Sequence, residues 1–359
     1  MQLLQKHIAI LNDVRAGKIP LKTFFFKRSK DDADCDLHRQ KRSNLITALK
    51  FAPLPTDEPL LQELFRQEIK RAEKDPFQGC GDAMMLAASL LSRFKNPENV
   101  WLFTAAKRAN FDTSCGFDYE FLVSAGIDVT YDLVDNAKAS KLKQAFYYVA
   151  GASREVCHIS QEELLQWETR IQRTLHPSLD TIEQEMYLAI DLNDKEALRE
   201  LVDQWQTEKT TWTGEEANAL LYYETVLKNR AGEIRAYELI AQLDNRAFMR
   251  THALEKLSRL YLENGEALKA WDTLQLALAQ ERDMARLSGP TVDTIYQLTL
   301  AFDNQHPIAI ASFSRAMREI RLLPPAQLSR DLAQSARKAA IHMKNKAAAA
   351  KIEQIFAPE

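Results

Sequence analysis

THALEKLSRLYLENGEALKAWDTLQLALAQ, residues 251–280, is the stretch whose reading decides the fold. Leu254, Leu257 and Tyr261 recur at three- and four-residue steps, the spacing that lines one face of an α-helix. Asn264-Gly265 interrupts the pattern as a turn, and Ala270, Leu274 and Ala277 resume it. The stretch therefore reads as two amphipathic helices joined head to tail. It also repeats. At an offset of 34 residues, Leu220, Tyr223, Leu227, Ala236 and Ile240 occupy the places of Leu254, Leu257, Tyr261, Ala270 and Leu274. One helical pair cannot bury its apolar face alone, so a fixed period implies stacked neighbours that share a core.

Across residues 217–280 this pattern resembles the tetratricopeptide repeat, a pair of antiparallel helices that stacks into a superhelix. Small Ala270 suits a close helix approach, while Tyr261 and Leu274 suit the space between successive pairs. Two looser units flank the strong ones. Leu188, Ala197 and Leu201 mark an earlier one, and Tyr296, Leu300, Ala309, Phe313 and Ala316 a later one. Ala197 and Ala309 lie 39 residues from Ala236 and Ala270, which leaves room for one extra helical turn. The later unit has a polar gap at 288–293. After Pro324 and Pro325, an apolar stripe through Leu328, Leu332, Ala336, Ala339, Met343, Ala347, Ala350 and Phe356 predicts an amphipathic helix, or two, capping the array. The expected organisation is all-α: an N-terminal helical unit at 1–177, repeats at 178–322 and a cap at 323–359.

The N-terminal part also reads as helices. Leu3, Leu4, Ile8, Leu11 and Val14 define one over 2–18, and others are expected over 44–51, 58–73, 82–94 and 98–109, with Pro53, Pro55, Pro76 and Pro97 between them. Phe24, Phe25 and Phe26 read as a core plug. The charged run KRSKDDADCDLHRQKR at 27–42 reads as an exposed loop or a frayed helix. Residues 127–134 alternate apolar and polar in the manner of a strand. No partner strand is evident nearby, so a helix using Tyr131, Val134 and later Leu142 is preferred. Ser160 and Glu163 form a capping box for a helix reaching about His176, and Pro177 marks the expected boundary.

Ten glycines in 359 residues is under half the usual share, which disfavours hairpin-rich folds and glycine-built phosphate loops. A net charge of -3 offers no general attraction to nucleic acid or to an anionic membrane. The longest strongly apolar run, 83–91, is too short to span a bilayer, and Asn12 and Asp13 interrupt any signal-like start. Cys35, Cys80, Cys115 and Cys157 form no CxxC pair and read as reduced thiols in a cytoplasm.

Catalytic signatures are sparse. No HExxH, GxSxG or GKS/T pattern occurs, and no cofactor is implied. The least generic stretch is KRANFDTSCGFD at 107–118. It could offer Cys115 as a nucleophile, or Asp112 and Asp118 as an acid/base pair. A thiol nucleophile needs a base, however, and no histidine is near in sequence. The plainer reading is an inter-helix turn that Asp112 or Thr113 caps, with Phe111 and Phe117 pinning it to the core. The stretch is similar to one in uncharacterised bacterial helical proteins of the immunity type, which carry no assigned activity. Asp34, Cys35, Asp36 and His38 could be drawn as metal ligands, but a second half of such a site is missing.

Charge is unevenly spread. Residues 178–217 carry eleven carboxylates against Lys195, Arg199 and Lys209, a balance of -8, while 313–359 balance at +5. Stacked helical pairs of this kind are binding scaffolds. The resemblance places Asn218, Leu221, Thr225 and Lys228, then His252, Glu255, Arg259 and Glu263, on the inner wall. The expectation is a cytosolic protein that binds another protein and is not an enzyme. In its concrete version it is an immunity protein whose acidic surface, including Glu196, Glu200 and Asp203, occludes a basic toxin domain. A regulator or adaptor that reads a peptide is the alternative, and an enzyme using Cys115 a third. Neither nucleic acid nor membrane is expected as a partner.

Overall fold

The computed structural model describes residues 2–30, 36–74, 79–175, 179–280 and 287–357. Among these residues the chain forms nineteen α-helices and no β-strand, apart from an isolated antiparallel bridge between Arg28 and Asp36. No described helix is long and apolar enough to cross a membrane. The chain divides into two compact units, Met1–Leu201 and Val202–Glu359. The helices of the second pack as successive neighbours, compatible with a helical solenoid.

The first unit runs through α1 (Gln2–Arg15), α2 (Arg39–Phe51), α3 (Glu58–Lys74), α4 (Asp82–Ser92), α5 (Val100–Lys107), α6 (Phe111–Gly116), α7 (Ile127–Asn136), α8 (Lys141–Ala150), α9 (Gln161–Leu175) and α10 (Ile182–Asp191). It ends within α11 (Lys195–Glu208). An aromatic chain threads its core. The Phe65 and Phe103 rings lie 5.8 Å apart, Phe103 and Phe121 5.6 Å, and Phe121 meets Trp167 edge-on at 4.7 Å. Such tilted and edge-on contacts add to the burial of the rings themselves. Phe24 joins this core, whereas Phe25 and Phe26 are only half-buried.

Residues 127–136 are helical. Gly126, at φ +121°, supplies the entry that a side chain would resist, and Tyr131 and Val134 face inward. The Tyr131 hydroxyl donates to the carbonyls of Ala150 and Gly151, so α7 locks the end of α8. Leu142 does not continue that face and is partly exposed on α8. Ser160 and Glu163 form the expected capping box: Glu163 N donates to Ser160 Oγ, and Ser160 N to Glu163 Oε2 at 2.8 Å. Pro177 and His176, expected at the boundary, lie outside the described residues. Leu188 and Leu192, in α10 and at its end, pack with Leu4 of α1.

The charged run is not simply an exposed loop. Arg42 is fully buried on α2, and its guanidinium meets Glu68 Oε1 at 2.5 Å, Asp36 Oδ2 at 2.6 Å and the Phe24 carbonyl at 3.1 Å. Arg71 donates to the other oxygen of Glu68 at 3.1 Å. Buried charges persist only when paired in this way, and the pairing draws the run into the core. Asp36 also accepts from the backbone N–H of Lys27 and His38, which consumes one of the drawn metal ligands. His38 Nδ1 contacts the Phe25 carbonyl. Asp34 and Cys35 lie outside the described residues.

The second unit contains α12 (Gly214–Leu227), α13 (Arg230–Leu243), α14 (Ala247–Glu263), α15 (Ala267–Gln280), α16 (Gly289–Ala301), α17 (Pro307–Glu319), α18 (Arg330–His342) and α19 (Lys346–Ile355). Helices pack in consecutive pairs, and the predicted repeat positions Ala236, Ala270 and Ala309 are fully buried. The polar gap is the start of α16, where Ser288 caps the N–H of Thr291. Among the described residues five helix ends share one device: Gly17, Asn193, Lys228, Gly265 and Lys344 adopt positive φ. In each, the next N–H reaches back to the last turn, as from Asn229 to Glu224 and from Asn345 to Ala340. Three of the five are not glycine, so a chain poor in glycine still ends its helices in the left-handed conformation. The turn at Lys344 also resets the helical phase. α18 buries Leu332, Ala336 and Ala339 as expected, but α19 buries Ala348 and Ile352 and leaves Ala347 and Ala350 exposed.

Candidate partner-binding surface

Helix α11 is sharply two-sided. Asp194 Oδ1 accepts from the N–H of Ala197 and so caps its start. Leu198, Val202 and Trp205, at i, i+4 and i+7, are buried. Glu196, Glu200 and Asp203, at the same steps, form an exposed ladder. Among the described residues these three carboxylates have no hydrogen-bond or ion-pair partner. Like charges four residues apart cost an isolated helix about 0.2–0.5 kcal/mol per pair. The ladder therefore stands against helix stability and is held by the packing of the opposite face.

An aromatic patch follows α11 in the second unit, and sequence reasoning missed it. The Trp212 ring meets Trp205 edge-on at 5.3 Å, and Trp205 meets Tyr223 at 5.9 Å. Lys209 Nζ lies 5.0 Å over Trp205, and the Arg235 guanidinium 5.9 Å over Trp212. The visible signal was two tryptophans seven residues apart beside a carboxylate run. Lys209 also pairs with Glu216, holding that carboxyl below the ordinary range.

The residues assigned to an inner wall have distinct settings. On α12, the Asn218 amide donates to the Gly214 carbonyl at 2.6 Å, and Leu221 packs beside Ala217 and Ile240. Thr225 is exposed, and Lys228 is the exposed left-handed cap. On α14, His252 stacks on Phe248, with ring centroids 6.4 Å apart. Glu255 bonds to the Thr291 hydroxyl. Arg259 pairs with Glu263 at 3.6 Å, and Glu263 also pairs with Arg230. A cleft of about 90 Å³ brings His252, Glu255 and Arg259 together with Lys256 and with Ser288 and Thr291 at the start of α16. The α12 residues do not line it.

The segment at 107–118 is a joint. Asn110 caps α6, exchanging bonds with Thr113, and its amide donates to the Ala72 carbonyl on α3 at 2.9 Å. The cap is thus Asn110, with Thr113 as its partner. Asp112 instead accepts from Gly79 N at 2.9 Å. Lys107 Nζ donates to the Phe117 carbonyl, and burial pushes its ammonium pKa down. Asp118 accepts from the Trp167 indole at 2.7 Å. Phe117 is buried as expected, but Phe111 is 79% exposed because the short α6 turns it outward from the capped end. Cys115 is exposed, and burial raises the thiol pKa of the half-buried Cys80. Among the described residues no cluster of metal-ligating side chains forms. Compared with protein-family models and with curated proteins, the chain matches none.

Proposed function

We propose that the protein is a binding scaffold that holds a basic protein partner, with the carboxylate ladder of α11 as the steering surface. The unpartnered set Glu196, Glu200 and Asp203 carries this reading, because charges not spent inside the chain remain available to an incoming partner. The packing of α12 to α17 as consecutive pairs, with Ala236, Ala270 and Ala309 buried, supports the same reading, since stacked helical pairs offer extended surfaces. In its most concrete form the protein is an antidote that covers a basic toxin domain.

A groove that reads a peptide needs polar side chains free to grip an extended backbone. Asn218 and Arg259 are engaged by Gly214 and Glu263, which favours the acidic-face reading. The test is capture from a lysate of the native host. Wild-type protein and the Glu196→Lys, Glu200→Lys, Asp203→Lys variant are compared at low and physiological salt. A basic protein retained by the wild type and lost by the variant supports the proposal; equal retention by both counts against it.

A further inference from the structure

The first unit contains an apolar cleft of about 250 Å³ that the binding reading does not use. Leu49 at the end of α2, Leu61 on α3, and Leu90 and Phe94 from α4 and the residues just after it form its walls. Pro53, the extended Leu54 and Pro55, which opens a 3-10 turn, form a further wall, where Leu54 is 46% exposed. That wall is braced from behind. Asp57 accepts from the Leu54 N–H at 2.7 Å and from Arg15 Nε at 2.9 Å, and Arg15 also holds the Ala52 carbonyl. The cleft is therefore built into the resting fold rather than awaiting a rearrangement.

Two charged residues line it, and they differ in kind. Asp57 is already neutralised by the two-pronged contact of Arg15. Arg93 is exposed, and among the described residues its guanidinium has no hydrogen-bond or ion-pair partner. It stands on the ridge between this cleft and a polar one, where Lys95 is already committed to Glu168 and to the Ser124 carbonyl. An apolar slot with one uncommitted guanidinium at its rim is complementary to an apolar body that ends in an anion. A planar fork of N–H donors matches the two oxygens of a carboxylate. For scale, a cavity of roughly 150 Å³ lined by Leu, Ile and Phe accepts benzene. We infer that the cleft is a binding site for a small monocarboxylate with an aliphatic or aromatic body, its carboxylate on Arg93 and its body among Leu54, Leu61, Leu90 and Phe94.

The test uses the full chain and simple probes: hexanoate, 1-hexanol and hexylamine, followed by ligand-observed NMR and calorimetry. Hexanoate is expected to bind saturably at one site, 1-hexanol more weakly, and hexylamine not at all. Arg93→Gln, at an exposed position, is expected to weaken hexanoate about tenfold, as loss of a charge-assisted hydrogen bond does, and to leave 1-hexanol unchanged. Leu54→Asp is expected to weaken both. Non-saturable uptake of hexanoate overturns the inference, as does equal affinity for hexanoate and 1-hexanol. Unchanged hexanoate binding in Arg93→Gln overturns it as well.

Discussion

The Ser258 hydroxyl donates to the carbonyl oxygen of Ala270 at 2.7 Å, linking α14 to α15 where both helices carry small, buried side chains. A polar link between two helix backbones requires a close crossing, and Ala270 is what allows it. Ala270→Leu is expected to force the pair apart at a cost of about 1–3 kcal/mol or more. Ala279→Leu, on the exposed side of α15, is expected to cost far less. Thermal melts of the two variants check this, and equal shifts would remove Ala270 from the crossing.

Gly232 presents a second test, with an unusual sign. Gly232 lies in the first turn of α13, and replacing a helical glycine by alanine ordinarily stabilises, by up to about 0.5–1 kcal/mol. Here a β-carbon would lie 2.2 Å from Cδ of Glu224, a buried carboxylate held by the Asn229 amide at 2.9 Å. Gly232→Ala is therefore expected to lower the denaturation midpoint, measured in urea. A raised midpoint would show that Glu224 can swing aside freely.

The buried ion network predicts both magnitude and pH dependence. Arg42→Ala leaves Asp36 without its ion pair and Glu68 with Arg71 alone, for an expected loss of about 3–5 kcal/mol. Lys18→Ala, in an exposed pair with Asp13, is expected to cost at most about 1 kcal/mol. Burial alone raises the Asp36 pKa, but the hydrogen bond and charge of Arg42, with the N–H groups of Lys27 and His38, outweigh it and hold it below the ordinary value. A depressed carboxyl pKa contributes stability in full above the unfolded value, near 4, and loses it as pH falls through the folded one. The stability gap between wild type and Asp36→Asn is expected to be widest at neutral pH and to narrow below about pH 4. A gap constant across that window contradicts the account.

The helical periods around Leu254, Tyr261 and Ala270 were legible because local spacing alone dictates an amphipathic face. The capping box at Ser160 and Glu163 was legible for the same reason: both partners lie three residues apart. Arg42 was not legible. Its partners Glu68 and Phe24 are 26 and 18 residues away, and a charged run gives no local sign that one member is buried. Phe111 misled because the aromatic preference for cores says nothing about which way a six-residue helix turns. The α19 stripe slipped because a left-handed Lys344 resets the phase, and lysine is not a residue that announces such a turn. On the surface, the exposed face of α11 follows from its sequence spacing, whereas the Trp205–Trp212 contact required the fold.

The measurement closest to the central claim is association kinetics with the captured partner at two salt concentrations. It compares wild type with the Glu196→Lys, Glu200→Lys, Asp203→Lys protein. These exposed positions leave the buried face of α11 intact, so each change is expected to cost within about 0.5 kcal/mol of stability. Exposed charges act over about 8 Å at physiological ionic strength, and further at low salt. The account predicts that the wild-type on-rate falls steeply as salt rises. It predicts an on-rate for the variant about tenfold lower or more at low salt, with a smaller change in dissociation. An on-rate unchanged by the three reversals at both salt concentrations would contradict it and leave the α11 ladder as a solvated helix face.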